Sequence, residues 1–280
     1  MLTVIGDLIA DVVVLGASTM NVGTDNPATI THTRGGSAAN VAAAAARLLP
    51  ARFVGRVGAD AEGTALAQAL GETGVDVRVQ RAGRTGVIVI LVDDTAERTM
   101  LTDRGAAAEL DSIDPVWLEG TRWLHLPLYG FAMTASHDAL LDAARWVHRR
   151  RGSVSLDLSS AASLREHGAD ALRGILSSLS PEVVFANGDE ARLLAHLGVL
   201  VSESTVFVVK RGADPVRVVT GGVLNEVAVE RVEDPVDSTG AGDAFAAGYL
   251  AAAISGRSPV DSVKAGAALA IEALRRPGAL

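Results

Sequence analysis

Late in the chain the sequence reads Val236-Asp237-Ser238-Thr239-Gly240-Ala241-Gly242-Asp243-Ala244-Phe245, and a helical run from Asp243 to Ser255 follows at once. Gly240 and Gly242 have no Cβ, so the backbone turns sharply there and another molecule can approach it closely. The N–H groups of residues 240–243 are the unpaired donors of a helix N-terminus, with the positive end of the helix dipole behind them. This combination predicts an anion site.

An acid beside an anion site needs an explanation, because a carboxylate repels an anion. Asp243 has a role there if it takes a proton from a hydroxyl that attacks a phosphorus atom held by the loop. A glycine-rich helix cap with an N-terminal aspartate is the alternative interpretation of a bare Gly-x-Gly-Asp. The complete run from Asp237 to Phe245 is far more specific than that pattern.

The run Asp237–Phe245 resembles the C-terminal signature of the ribokinase/PfkB family of carbohydrate kinases. The resemblance implies ATP-dependent phosphoryl transfer to a hydroxyl, with Asp243 as general base and Gly240, Ala241 and Gly242 as the anion hole. It extends over essentially the whole chain, and the further motifs stand in the family order. The implied cofactors are ATP and Mg²⁺, with K⁺ as a further candidate that Asp237 would bind.

Composition limits the other classes of function. A chain of 280 residues that is 49% apolar fits one large domain, so we predict a single domain over residues 1–280. The net charge of −8 disfavours nucleic-acid binding, and the absence of cysteine excludes disulfides and thiolate zinc sites. Leu2–Ile5 is strand-like without a preceding basic region, and charges interrupt every long apolar run. We therefore expect a cytoplasmic protein with no signal peptide and no membrane contact.

Strands and helices alternate through most of the sequence, which predicts an α/β fold with a mostly parallel sheet covered on both faces by helices. Two β-rich segments, at about 11–34 and 86–102, do not fit the alternation and predict a small separate sheet. In the ribokinase family such a sheet is a lid over the sugar site and often the dimer surface. The resemblance therefore implies a three-layer ribokinase-like fold with a β-sheet lid, and a homodimer formed through that lid.

Polar residues at two places in the N-terminal part are candidates for acceptor binding. Asp7 and Asp11 follow the first strand, and ligands bind at the carboxyl ends of strands in an open α/β sheet. We expect them to accept hydrogen bonds from sugar hydroxyls; a turn and a surface charge are the alternative. The run from Gly6 to Asp11 is similar to the family's opening motif, in which the second acid binds substrate, so the resemblance favours Asp11 over Asp7. Gly35 and Gly36 with Asn40 resemble the family's N-terminal signature, which implies substrate contact, whereas a plain helix-entry turn is the alternative.

Two later motifs imply nucleotide contacts. Asn187 and Glu190 match the family's N-x-x-E, which implies that Asn187 lies near the phosphates and that Glu190 helps to hold a hydrated Mg²⁺. Lys210 and Gly212 are similar to the family's nucleotide-contacting K-x-G. Thr239 is expected to contact the cofactor with the loop glycines. A simple helix start and a surface turn are the alternatives for the first two motifs.

Arg98 and Arg104 are weaker candidates for contact with an acidic substrate or the transferred phosphate, and a surface position is the alternative. Glu97-Arg98-Thr99 resembles a family lid segment. Asp157 ends a predicted strand and is a pocket acid without an assigned role. In the last helix, Gly266 lies where relatives often carry an asparagine beside adenine, so adenine is expected to be held more loosely or differently.

Other nucleotide-binding classes fit poorly, because the sequence has neither the Gly-Lys of a Walker A loop nor a Gly-x-Gly-x-x-Gly after the first strand. A non-catalytic sugar or nucleotide sensor on the same fold is the serious rival. The intact Asp243 and its loop argue against it, since a sensor needs no base.

The acceptor is predicted to be an unphosphorylated sugar or sugar acid, of the ribose, fructose or ketodeoxygluconate type. Ser37 stands where sugar-phosphate kinases of the family tend to have lysine, and no aromatic residue precedes Phe53 to stack on a base. A nucleoside is the alternative, since Trp123, Tyr129 or Phe131 offers a stacking face.

Overall fold

The computed structural model describes residues 1–16, 20–93, 98–276 and 278–280. The main sheet is built from the strands β1 Leu2–Gly6, β4 Ala51–Val57, β5 Asp76–Arg81, β8 Trp123–Pro127, β9 Ser153–Asp157, β10 Val183–Asn187, β11 Val206–Lys210, β12 Val216–Thr220 and β13 Val223–Val227. Their order is β13-β12-β11-β10-β9-β8-β1-β4-β5. In this spatial order, all the strands between β11 and the β5 edge, both included, run parallel. β12 and β13 add an antiparallel edge on the other side.

Helices cover both faces of this sheet. They are α1 Ser37–Ala46, α2 Ala61–Glu72, α3 Thr134–Arg149, α4 Ala161–Leu179, α5 Gly188–His196, α6 Ala241–Ile254 and α7 Pro259–Leu274. Successive strand residues point to opposite faces, so Val4 packs in the core with α1 and α6 while Ile5 packs in the core with α3 and α4. The three-layer α/β fold predicted from the alternation is confirmed.

The two β-rich segments form a separate small sheet, as predicted. It contains β2 Ile9–Leu15, β3 Thr29–Gly35, β6 Thr85–Val92 and β7 Arg98–Gly105, in the order β3-β2-β6-β7. β2 pairs in parallel with β6, and the other two pairs are antiparallel. Residues 94–97, which include Glu97 of the segment Glu97-Arg98-Thr99 named above, lie outside the described residues.

The edge strand β5, at residues 76–81, was not predicted from the sequence. Its only apolar residues are Val77 and Val79, and it pairs only with β4. Asp60 is the N-cap of α2, and its side chain accepts from Gly63 N at 2.8 Å. Within the described ranges, none of the helices combines the length and apolar character needed to cross a membrane.

Candidate active site

A cavity of about 440 Å³ lies between the small sheet and the carboxyl ends of the central parallel strands. The predicted site residues that line it are Asp7, Asp11, Gly36, Asn40, Arg98, Arg104, Asn187, Glu190, Lys210, Gly212, Thr239, Gly240, Gly242 and Asp243. The remaining predicted residues, Gly35, Ala241 and Asp237, do not line this cavity, although Ala241 lines a smaller cavity beside it. The fold thus gathers residues from both ends of the sequence at one place.

The N-terminus of α6 forms the predicted donor cluster with one difference. Ala241 N donates to Ser238 O at 3.3 Å, so its N–H is engaged within the loop. Among the described residues, the N–H groups of Gly240, Gly242 and Asp243 have no such partner. The predicted four-donor anion hole is therefore corrected to three free donors.

Glycine at position 240 is required by its surroundings. Gly240 has φ of 70°, in the left-handed region, and a Cβ there would lie 2.7 Å from Ala279 Cβ. The loop can turn into α6 in this way because position 240 carries no side chain.

Asp243 stands at the first turn of α6 with both carboxylate oxygens engaged. Oδ1 accepts from Ser37 Oγ at 2.8 Å, and Oδ2 accepts from Asn40 Nδ2 at 3.1 Å. Burial raises the pKa of Asp243 to about 7 against the hydrogen bonds from Ser37 and Asn40, which lower it. A carboxyl group with this pKa exchanges protons near neutral pH, as a general base must. Ser37 was not among the predicted site residues.

Asp7, which follows β1, and Asp11, which lies in β2, are at the small-sheet end of the cavity. Asp7 accepts from Ala38 N at 3.2 Å and from Arg104 Nη1 at 3.0 Å. Asp11 is buried, and its Oδ1 has no hydrogen-bond partner among the described residues. Burial, and secondarily the charge of Asp7, raises the pKa of Asp11 to about 6. A buried carboxylate oxygen without a donor is an acceptor available to a ligand hydroxyl.

The paired glycines make room for these two acids. A Cβ at Gly35 would lie 2.2 Å from the Asp11 carboxylate. Gly36 has φ of 102°, and a Cβ there would lie 2.4 Å from the main-chain oxygen of Asp7. The expectation that both glycines bring backbone to the substrate is corrected for Gly35, which serves to accommodate Asp11.

Arg104 is held in place from two sides. Its guanidinium donates to Asp7 and lies 4.1 Å from the centroid of the Tyr129 ring. The cation therefore covers the aromatic face that Tyr129 would otherwise offer to a ligand.

Asn187 and Glu190 form a complete capping box at the start of α5. Asn187 Oδ1 accepts from Glu190 N at 2.9 Å, and Glu190 Oε2 accepts from Asn187 N at 2.7 Å. Burial, and then the charge of Asp157, raises the pKa of Glu190 to about 7. Asn187 and Glu190 therefore do form a helix start, and the same two side chains also line the cavity.

Lys210 places a cation close to Asp157 and to Gly242 of the glycine-rich loop. Its Nζ donates to Asp157 Oδ2 at 2.8 Å, and it lies 3.4 Å from where a Cβ at Gly242 would be. Burial alone would lower the pKa of Lys210, yet Asp157 and then Glu190 and Asp243 raise it. Lys210 is therefore charged, and its ammonium group lies beside the free donors of α6.

A second, smaller cavity of about 250 Å³ adjoins the first and shares Lys210, Gly212, Ser238 and Gly242 with it. Its other walls are mainly apolar and include Val216, Val229, Phe245, Ala267, Ala270, Ile271 and Leu274. Gly266 is not among the residues that line it; its Cα instead packs on Phe245. An apolar cavity joined to a cluster of anion donors suits a nucleotide base and its phosphates, respectively.

Asp237 is occupied by internal donors. Oδ1 accepts from Thr239 N at 2.8 Å and from Arg98, and Oδ2 accepts from Gly278 N at 3.0 Å. Burial would raise the pKa of Asp237, but the bonds from Thr239, Gly278 and Arg98 lower it to about 2. The residues present do not fit the expected monovalent cation, because a guanidinium already neutralises the carboxylate.

Comparison with known proteins shows which family this chain resembles over its whole length. The model of the pfkB family carbohydrate kinases matches residues 1–280. A fructokinase of Klebsiella pneumoniae is 29% identical over 261 residues, which cover 85% of this chain and 82% of that protein. An ATP-dependent ribose-1-phosphate kinase of Halopiger xanaduensis is 34% identical over 229 residues, covering 78% and 72%. The solved adenosine kinase of Sinorhizobium meliloti superposes with a TM-score of 0.85 at 25% identity, covering 99% and 94%.

The fold and the match over its full length make this chain a kinase that transfers a phosphoryl group to an alcohol. It belongs to the pfkB family of carbohydrate kinases. Membership of this family implies use of ATP and Mg²⁺, with a sugar or a nucleoside as acceptor.

Proposed function

We propose that this protein transfers the γ-phosphoryl group of ATP to a hydroxyl of a small, unphosphorylated sugar or sugar acid. The observation that carries the proposal is the position of Asp243, which lies in one cavity with free amide donors on one side and the unpartnered Asp11 oxygen on the other. Asp7 and Asp11 bind the acceptor, and the loop 240–243 with Lys210 binds the phosphates.

In the proposed reaction, Asp243 removes the proton of the acceptor hydroxyl while the oxygen of that hydroxyl forms a bond to the γ-phosphorus. The bond from that phosphorus to the bridging oxygen breaks, ADP leaves, and the proton passes from Asp243 to solvent. The amides of Gly240 and Gly242 stabilise charge on the phosphoryl oxygens, and one such donor is typically worth about 2.7–4 kcal/mol. The apolar cavity beside Phe245 holds the adenine of ATP.

The residues present fit a hydrated Mg²⁺. In the described part of the chain, no three acidic or histidine side chains come together as a direct metal site. Glu190 and Asp157 both face the cavity, and an ion that keeps most of its waters needs few carboxylates. Glu190, with Asn187, would hold the hydrated ion, which supplies neutralisation of phosphate charge.

The relatives named above act, by their names, on three different acceptors: fructose, ribose 1-phosphate and adenosine. A phosphorylated acceptor needs free cations, whereas Arg104 is paired with Asp7, and Arg98 with Asp237. A nucleoside needs an aromatic face, whereas Arg104 covers the ring of Tyr129. Asp7 and Asp11 instead suit neutral hydroxyls, which favours a sugar.

A panel of acceptors tests this proposal. We expect acceptor-dependent ADP release from ATP·Mg²⁺ with ribose, fructose, ketodeoxygluconate or a related sugar. Turnover with adenosine alone would keep the mechanism and overturn the acceptor class. Saturable sugar binding without turnover on any acceptor would favour the non-catalytic sensor.

The activity is expected to depend on pH through Asp243. Its pKa is raised from the ordinary 3.8 to about 7, so the carboxyl is protonated and unable to accept a proton below that pH. The logarithm of kcat/KM for the acceptor, which reports groups of the free enzyme, should therefore rise with a slope of about one below pH 7 and level off above it. A pH–rate profile at acceptor concentrations below KM measures this, and a kcat/KM that stays flat between about pH 5 and pH 9 would contradict it.

We also infer that the chain is one domain in which the small sheet serves as a lid and as a dimer surface. The face of this sheet opposite the cavity carries Val12, Val14, Ile30, Val89, Leu91 and Leu101, which are cross-strand neighbours. Leu101 is 58% exposed. A second copy seated here would bury this apolar strip and cover the lid edges.

Leu101→Asp is therefore expected to give a monomer where the unchanged chain is a dimer, because a charge in the buried strip is costly. Molar mass from light scattering during gel filtration measures the change. Leu200→Asp is the matched control, since Leu200 is 87% exposed but lies away from the small sheet. Equal mass for the Leu101 variant and the unchanged chain would refute the interface.

A further inference from the structure

The carboxylate of Asp243 is fixed by the first turn of a different helix. Ser37 and Asn40 of α1 donate to its two oxygens at 2.8 and 3.1 Å, across sequence separations of 206 and 203 residues. α1 and α6 pack against each other, so these contacts are carried by rigid elements. The protein itself thereby sets the plane of the carboxylate.

The orientation of the Asn40 amide is also determined. An amide has a donor end and an acceptor end, and its neighbours decide which way it points. Arg34 Nη1 donates to Asn40 Oδ1 at 3.1 Å, which turns Nδ2 toward Asp243. Asn40 is buried and Arg34 half-buried, so water competes little for these bonds. Arg34 also acts electrostatically on Asp11.

We propose that Ser37 is a positioning residue for the base, and that Arg34 acts in the same way through Asn40. This inference rests on the proposed function, because it assigns Asp243 the role of base. With Oδ1 tied to Ser37, the remaining lone pair of that oxygen has a fixed direction in the cavity. The acceptor hydroxyl then meets a base that needs no reorientation. This positioning should raise kcat and leave KM for the acceptor largely unchanged.

The pH behaviour of Asp243 reports on this contact. The charged groups that act on Asp243 come from neighbouring strands: Asp157 from β9, Lys210 from β11 and Arg34 from β3. Helix α1 contributes the neutral donors Ser37 and Asn40. A hydrogen bond to an ionised carboxylate favours the ionised form, so loss of the Ser37 hydroxyl should raise the pKa of Asp243.

The test compares Ser37→Ala and Ser37→Thr on the acceptor that the unchanged enzyme phosphorylates. For Ser37→Ala we expect kcat to fall about tenfold or more, since bonds to charged groups are the strong ones. The acid limb of the pH profile should move up by about one unit, while KM for ATP and acceptor stays within about twofold. Ser37→Thr keeps the hydroxyl and should restore most of kcat.

Ser178→Ala is the control for a serine-to-alanine change in a helix, because Ser178 is exposed on α4. The inference is overturned if Ser37→Ala leaves kcat and the pH limb unchanged, if only KM moves, or if Ser37→Thr fails to rescue with an unchanged melting temperature.

A second readout is independent of turnover. Carbon NMR of labelled aspartate carboxyls gives the pKa of Asp243, which Asp243→Asn assigns. A rise of about one unit in Ser37→Ala supports the contact even if no acceptor turns over, in which case the proposed function fails by itself. An unmoved Asp243 titration would overturn the positioning role directly.

Discussion

Asp243→Asn is expected to reduce kcat by about 10²–10⁴-fold, the usual contribution of a positioned general base. Asparagine has the same shape but cannot take up a proton. Its amide could still receive a hydrogen bond from Ser37 on one side, so the fold and the cavity should be retained. Steady-state ADP release with the preferred acceptor measures the loss.

Two controls make this result specific. Asp138→Asn removes an exposed acid on α3 and should leave kcat unchanged. Calorimetric titration with a non-hydrolysable ATP analogue should give Asp243→Asn an affinity at least equal to that of the unchanged chain, since a negative charge near the phosphates is gone. A variant that keeps most of its kcat would remove Asp243 from the role of base.

Asp11→Ala should lower kcat/KM for the acceptor by about ten- to a hundredfold, because bonds from hydroxyls to a carboxylate are worth about 1.5–3 kcal/mol each. The loss should appear as a higher KM for the acceptor with KM for ATP unchanged. Asp103→Ala is the matched control on the same small sheet, since Asp103 is exposed and faces away from the cavity.

Thermal stability distinguishes a loss of acceptor binding in Asp11→Ala from damage to the fold. The pKa of Asp11 is raised from the ordinary 3.8 to about 6, so its ionisation in the folded protein is unfavourable as pH rises over that range. The melting temperature of Asp11→Ala relative to the unchanged chain should therefore increase between about pH 4 and pH 6. A variant that is less stable and loses ATP and acceptor affinity together would contradict a specific role in acceptor binding.

The glycine-rich loop was predictable because its residues act locally. Gly240 turns the chain, the following residues begin a helix, and unpaired amides at that helix start need no distant partner. The alternation of strands and helices likewise follows from local hydrophobic patterns. The edge strand Asp76–Arg81 escaped prediction because none of its residues is fully buried, which weakens the hydrophobic pattern.

Contacts between distant segments were not predictable from residue types. The sequence does not indicate that Ser37 contacts Asp243, because that bond depends on how α1 packs on α6. The pairing of Arg98 with Asp237 similarly links a strand of the small sheet to the loop before α6. The ion pair partly neutralises both charges, although Arg98 still lines the cavity. The burial that shifts the pKa of Asp243, Asp11 and Glu190 is a property of the packed structure alone.

Transfer of the terminal phosphoryl group to a sugar hydroxyl can be followed directly by incubating the protein with ATP labelled in the γ-phosphate, Mg²⁺ and a mixture of unphosphorylated sugars, and then separating the products. We expect label in a sugar monophosphate, and none there with Asp243→Asn. Label found only in inorganic phosphate, or only in a nucleoside monophosphate, would contradict it.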